Sequence, residues 1–137
     1  MGRMDLLSTN PNIWFDCAHN ADGIRTLFEN LPVNGNLFCV YGTSSDKNLE
    51  EIKAVLPKNA SYFFTTFENP RTASLEKLQA ELSLTGKKRN FFSNSFLALK
   101  SAQESANKED TIVVFGSFFL VHDFFEDFFQ KRLAETK

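Results

Sequence analysis

Apolar residues along this chain fall into two alternating kinds of run. Short continuous runs are rich in β-branched and aromatic side chains, and longer runs place them at every third or fourth position. Ile13-Trp14-Phe15-Asp16-Cys17 is the first of the short kind and predicts a buried strand whose polar end feeds a loop. Asn20 then supplies a helix cap, and Ile24, Leu27, Phe28 and Leu31 share one face of a helix over residues 21–31. Pro32 and Asn34-Gly35-Asn36 stop it.

The unit then recurs. Leu37-Phe38-Cys39-Val40-Tyr41 predicts a strand ending at Gly42, and Leu49, Ile52, Val55 and Leu56 mark a helix after Asp46-Lys47. Residues 60–66 are β-rich, Glu68-Asn69-Pro70-Arg71 forms the loop, and Leu75, Leu78 and Leu82 stripe a helix that begins near Ser74. A thinner fourth unit has Asn90-Phe91-Phe92 as its strand and Phe96, Leu97, Leu99 and Lys100 on a helix after Ser93 or Asn94. In the fifth, Thr111 to Phe115 is a strand, Gly116-Ser117 turns the chain, and a helix covers residues 118–132. Strands alternating with amphipathic helices call for right-handed crossovers, hence a three-layer α/β fold with a mainly parallel sheet covered on both faces. Residues 4–8 are a candidate for an additional edge strand, so the sheet has five or six strands.

At 137 residues, 42% of them hydrophobic and 23% charged, the chain has the size and balance of a single domain over residues 1–137 that buries a real core. Its aromatic content is carried almost entirely by 16 Phe, which reads as packing rather than chemistry. A formal charge of -2, with Lys and Arg scattered among acids, offers no positive field for a phosphate backbone, so no nucleic-acid partner is expected. No apolar run approaches the roughly 18 residues needed to span a bilayer, and no basic segment followed by an apolar one opens the chain. The expectation is a cytoplasmic protein with no membrane partner. Cys17 and Cys39 both lie in apolar strand-like runs and are expected to remain reduced, without a structural disulfide. Met1-Gly2-Arg3-Met4 leads straight into a strand-like run, as in a fragment cut from a longer protein.

In open parallel sheets, ligands bind beyond the carboxyl ends of the strands. The polar residues at those ends are Asp16, His19 and Asn20 after the first strand and Ser44, Asp46 and Lys47 after the second. Asn69 and Arg71 follow the third, and Gly116-Ser117 the fifth. Neither a G-x-x-x-x-G-K-[ST] loop nor a G-x-G-x-x-G turn occurs, so the chain alone does not cradle a triphosphate in the usual way; Gly86-Lys87 lacks the upstream glycine. Cys17-x-His19 is not read as a metal pair or thiol centre, because the remaining Cys and His are Cys39, inside a strand, and His122, inside the final helix.

The ordered series Gly2-Arg3, Asp16-Cys17-Ala18-His19-Asn20, Gly42 with Asp46-Lys47, Pro70-Arg71 and Gly116-Ser117-Phe118 resembles the C-terminal domain of folylpolyglutamate synthase, including its bifunctional dihydrofolate synthase form, within the Mur ligase superfamily. The likeness spans essentially the whole chain. It implies a Rossmann-like domain of an ATP-dependent ligase whose phosphate loop and Mg2+ are held mainly by a separate N-terminal domain. The implied reaction uses ATP to phosphorylate a carboxylate of a pteroate or folate, and L-glutamate attacks the acyl phosphate; the fragment alone would be inactive. Domain closure would keep water from that intermediate.

Roles follow from the same resemblance. Asp16 would accept hydrogen bonds from the ATP ribose hydroxyls, against the plainer reading of a loop anchor or helix cap. Arg3 would contact ATP phosphate. His19 would touch the nucleotide or help build the closed site, with structural capping as its plain alternative. Ser117 would meet a phosphate or other acceptor, or act as an ordinary N-cap. Lys47 would reach the acyl phosphate or the glutamate carboxylates, and Arg71 the substrate; both are otherwise solvated charges. A self-sufficient flavodoxin-like or signalling module is the alternative, weakened because Thr65-Thr66 stands where a phosphoacceptor Asp would end the third strand. A dinucleotide-binding enzyme is disfavoured by the polar first turn.

Overall fold

Six strands alternate with helices in the computed structural model, which describes residues 3–125. β1 (Asp5–Ser8) pairs antiparallel with β2 (Asn12–Phe15), which confirms the edge strand. The β2 run is shorter than its apolar residues suggest. The Asp16 carboxylate accepts the Ala18 N–H at 2.7 Å and turns the chain away, so Cys17 lies in the loop rather than the strand. α1 (Ala21–Asn30) is capped by Asn20, whose side chain accepts from the Gly23 N–H. β3 (Leu37–Tyr41) is buried throughout. α2 (Leu49–Lys53) is only five residues long, but Val55 and Leu56 continue the turn by donating to the Ile52 carbonyl, and Leu56 stays in the core. Then come β4 (Ser61–Thr65), α3 (Leu75–Leu82) capped by Ser74, β5 (Lys88–Phe92), α4 (Ser95–Ser105) capped by Asn94, and β6 (Thr111–Phe115). A final helix, α5, is described over residues 118–125; the rest of the expected 118–132 helix lies outside the described residues.

The sheet order is β1-β2-β6-β3-β4-β5, and every pairing except β1 with β2 is parallel. The strand of the fifth unit therefore lies between those of the first and second, unlike the flavodoxin-like order. α1, α2 and α3 pack on one face through Ile24, Leu27, Leu49, Ile52, Leu78 and Leu82. On the other face α4 and α5 contribute Ala98, Ala102, Leu120, Val121 and Phe124. Of the apolar residues expected to stripe α4, Leu99 packs against this core but Phe96 and Leu97 do not line its buried face. Ser95, Ala98 and Ala102 are buried, whereas Phe96 and Leu97 are 42% and 56% exposed. Small side chains let this helix lie close over β3 and β4, while Leu97 is turned outward and Phe96 reaches sideways to the Phe124 ring.

Chain direction fixes where a site can form. β2 feeds α1 on one face and its neighbour β6 feeds α5 on the other, so a crevice opens between their carboxyl ends. Gly116 ends β6 at φ 118°, and a Cβ there would run into the Gly42 carbonyl oxygen and the Tyr41 ring. Only glycine permits that approach of the β6 and β3 ends.

Candidate functional site

Asp16 continues the line of β2, donating its N–H to the Val114 carbonyl at 3.0 Å, and is 4% exposed. Its Oδ1 accepts the Ala18 N–H at 2.7 Å and its Oδ2 the Met4 N–H at 2.9 Å. A carboxylate has about four lone-pair positions, so each oxygen retains acceptor capacity. His19 is exposed, with Nδ1 3.3 Å from the Cys17 carbonyl. A carbonyl only accepts, so Nδ1 is the donor in that contact, and Nε2 takes no part in it.

Arg3, Asp16, His19, Asn20 and Phe118 share a cavity of about 530 Å³ beyond the end of β2. The Cys17 thiol beside it is raised above its ordinary pKa, chiefly by burial and then by the Asp16 and Asp5 carboxylates, with Arg3 opposing. It is a poor nucleophile near neutral pH. The cavity thus gathers a fixed buried acceptor, a guanidinium, an imidazole and an exposed aromatic ring: the fittings for a polar, anionic ligand that also has an apolar part.

The other expected residues lie elsewhere on the same rim. Ser117 is buried; its hydroxyl accepts the Phe119 N–H at 3.1 Å and its carbonyl the Val121 N–H, as in an ordinary N-cap, and it does not line the cavity. Lys47 and Arg71 belong to a pair of loops beyond β3 and β4. These are joined by the Ser44–Thr72 bridge and by the Ser45 N–H on the Arg71 carbonyl at 2.7 Å. Arg71 is exposed and Lys47 half-buried. The structure therefore brings Arg3, Asp16 and His19 together, puts Lys47 and Arg71 on two joined loops, and sets Ser117 between the two groups in strand order.

Two contributors were not foreseen in these roles. Phe118 is 60% exposed at the cavity edge; the sequence marks it only as the end of the Gly116-Ser117-Phe118 motif, with no role attached. Lys77 donates from Nζ to the Ser45 and Lys47 carbonyls at 2.7 and 3.1 Å, and nothing in local periodicity marks it. Among the described residues no group of three or more His, Cys, Asp or Glu is placed to hold a metal ion, so these residues do not fit a metal centre of their own. No helix among them is long and apolar enough to cross a membrane.

Comparison with known proteins adds three findings. The family model "Mur ligase, glutamate ligase domain" matches residues 2–118. The dihydrofolate synthase/folylpolyglutamate synthase of Buchnera aphidicola subsp. Schizaphis graminum is 32% identical over 127 residues, covering 90% of this chain and 30% of that protein. Among solved structures, Escherichia coli FolC in complex with ADP, without folate substrate, superposes with a TM-score of 0.76 at 30% identity, over 96% of this chain and 32% of that one. A bifunctional folylpolyglutamate synthase/dihydrofolate synthase with Mn, AMPPNP and L-glutamate bound gives 0.80 at 29% identity, over 92% and 31%. The chain thus spans about three-tenths of the length of the proteins it resembles.

Proposed function

Because this chain belongs to the Mur ligase family, as its glutamate ligase domain, we propose that it is the C-terminal part of an ATP-dependent ligase joining L-glutamate to a dihydropteroate or folate through an acyl phosphate. Its work there is to complete the ATP site and to position the glutamate. The observation that carries the reading is the cavity at the β2–β6 crevice, where buried Asp16 stands with Arg3 and His19. A carboxylate held by two backbone donors is preorganised to accept from vicinal ribose hydroxyls, and a guanidinium can fork onto phosphate oxygens. The His19 Nε2, which takes no part in the Cys17 contact, is available to the nucleotide or to the closing domain.

Lys47 and Arg71 present cations from the neighbouring loops toward the acyl phosphate and the glutamate carboxylates. Ser117 supports the same rim and, through its cap, the helix that carries Phe118. Solved relatives, of which this chain spans about three-tenths, are complexes with ADP or with AMPPNP and Mn. A Mg2+ accompanying ATP would be held by an N-terminal domain, and nucleotide, glutamate and folate would meet between the two domains, in the cytoplasm. The chain alone would turn over no ATP.

The test is a coupled assay of the full-length polypeptide with ATP, L-glutamate and either dihydropteroate or tetrahydrofolate. ADP release that requires both the acceptor and glutamate is expected. Release independent of either, or none at all, would retire the proposal.

A further inference from the structure

The loop after β4 closes on itself. The Phe67 N–H donates to the Thr72 hydroxyl at 3.2 Å, and the Asn69 N–H to the Phe67 carbonyl at 2.9 Å. The Thr72 N–H donates to the Asn69 carbonyl at 3.0 Å, and the Arg71 N–H to Asn69 Oδ1 at 2.9 Å. Residues 67–72 are thereby bonded into one piece, so what grips one end of the loop also aims the other.

The Arg71 end is gripped by the loop after β3. The Ser45 N–H donates to the Arg71 carbonyl at 2.7 Å, and the Ala73 N–H to the Thr43 carbonyl at 2.8 Å. The Phe67 end is gripped by α5. Phe119 stacks on Phe67 with ring centroids 6.3 Å apart and planes 16° apart, and Asp123 Oδ2 accepts the Glu68 N–H at 3.2 Å. Phe119 and Asp123 stand four positions apart, on one face of the helix, and meet two consecutive residues of the loop. The residue that Asp123 holds is itself acidic, so the contact is a hydrogen bond to main chain and not an ion pair.

Phe118, at the start of the same helix, lines the cavity of Arg3, Asp16 and His19. One helix thus touches that cavity at its first residue and the Arg71 loop from its second residue onward. We propose that Asp123 is a positioning residue: by holding the Glu68 N–H it fixes the loop after β4 against α5 and so aims the Arg71 side chain at a glutamate carboxylate. The proposal rests on the ligase reading, in which Arg71 meets the substrate, and adds the residue that sets Arg71 in place. Asp123 acts through Arg71 and not on the substrate itself.

The test uses the full-length polypeptide, with glutamate-dependent ADP release measured beside amide exchange over residues 67–71. Asp123→Ala should raise KM for L-glutamate about fivefold and quicken exchange at Glu68, with kcat and KM for ATP held within about twofold. Asp123→Asn keeps a carbonyl acceptor and should restore both the KM and the exchange rate. Unchanged exchange at Glu68, an unchanged KM for L-glutamate, an equal rise in KM for ATP, or a loss that Asp123→Asn does not repair overturns the proposal. ADP release by the unsubstituted protein that does not require glutamate retires the ligase reading, and this proposal with it.

Discussion

Asp16 holds Met4 across twelve positions of the chain, its Oδ2 accepting the Met4 N–H at 2.9 Å. A carboxylate that lines the cavity therefore also anchors the segment that carries Arg3. Ligand contact and local stability share one side chain.

Asp16→Ala should consequently destabilise the domain even without nucleotide. It removes a charged acceptor from two backbone N–H groups at a buried position, a loss of about 2 kcal/mol. Urea unfolding should show a lower midpoint at unchanged slope. Asp16→Asn keeps one carbonyl acceptor and should fall between the two. An unchanged midpoint in Asp16→Ala would show that the Met4 and Ala18 bonds contribute nothing.

Local rules made much of this fold readable. Asn20, Ser74 and Asn94 cap where a short polar residue precedes an apolar stripe, and β3 and β6 are buried along their length as their continuous apolar runs require. Non-local facts were not readable. The insertion of β6 between β2 and β3 depends on which strands pair across the chain. The inward face of α4 is set by the closeness of Ala98 and Ala102 to the sheet, which overrides the larger Phe96 and Leu97. The site divides in the same way: strand-end position led to Asp16 and His19, while the tie from Asp16 to Met4 and the reach of Lys77 exist only once the chain is folded.

Gly116→Ala should be costly. A side chain at φ 118° is strained, and its Cβ would meet the Gly42 carbonyl oxygen, so a loss of about 1–3 kcal/mol is expected. Because the β6 and β3 ends would have to part, the amide signals of Gly42 and Ser117 should move as well. A substitution tolerated without a fall in the urea midpoint would contradict the close approach.

Alkaline pH should destabilise the domain in two stages. Burial lifts the Cys39 thiol and the Tyr41 and Tyr62 hydroxyls above their ordinary ranges. In the unfolded chain these groups lose protons near about pH 8.5 for Cys and pH 10 for Tyr, while the folded chain keeps them. The native state then binds more protons, so stability is full below the unfolded values and declines as pH climbs toward the folded ones. The two tyrosines differ at pH 7. The Tyr62 hydroxyl donates to the Pro57 carbonyl at 2.5 Å, whereas the buried Tyr41 hydroxyl has only the Thr43 hydroxyl near it, and among the described residues neither of these two makes a hydrogen bond of good geometry. Tyr41→Phe should therefore be neutral or stabilising and should soften the decline above about pH 10, whereas Tyr62→Phe should cost about 1 kcal/mol. Thermal unfolding across pH 7 to 11 checks both; a Tyr41→Phe variant clearly less stable at pH 7 would mean that its hydroxyl is matched after all.

Lys77 should govern the order of the loop that carries Lys47. Its Nζ gathers the Ser45 and Lys47 carbonyls while its own N–H is capped by the Ser74 hydroxyl at 3.1 Å, so the first turn of α3 and the loop after β3 are pinned at one point. The Lys47 side chain takes no part in this arrangement; only its main chain does. Lys77→Met keeps the apolar stem and removes the donors, and amide exchange over residues 44–48 should quicken about tenfold while β3 and α3 keep their protection. Lys47→Met should leave that exchange unchanged. If Lys47 acts on the acyl phosphate, both substitutions should slow the full-length enzyme, but only Lys77→Met should loosen the loop. Equal exchange in both variants would mean that the loop is held by the Ser44–Thr72 bridge and the Ser45 contact to Arg71, and that Lys77 positions nothing.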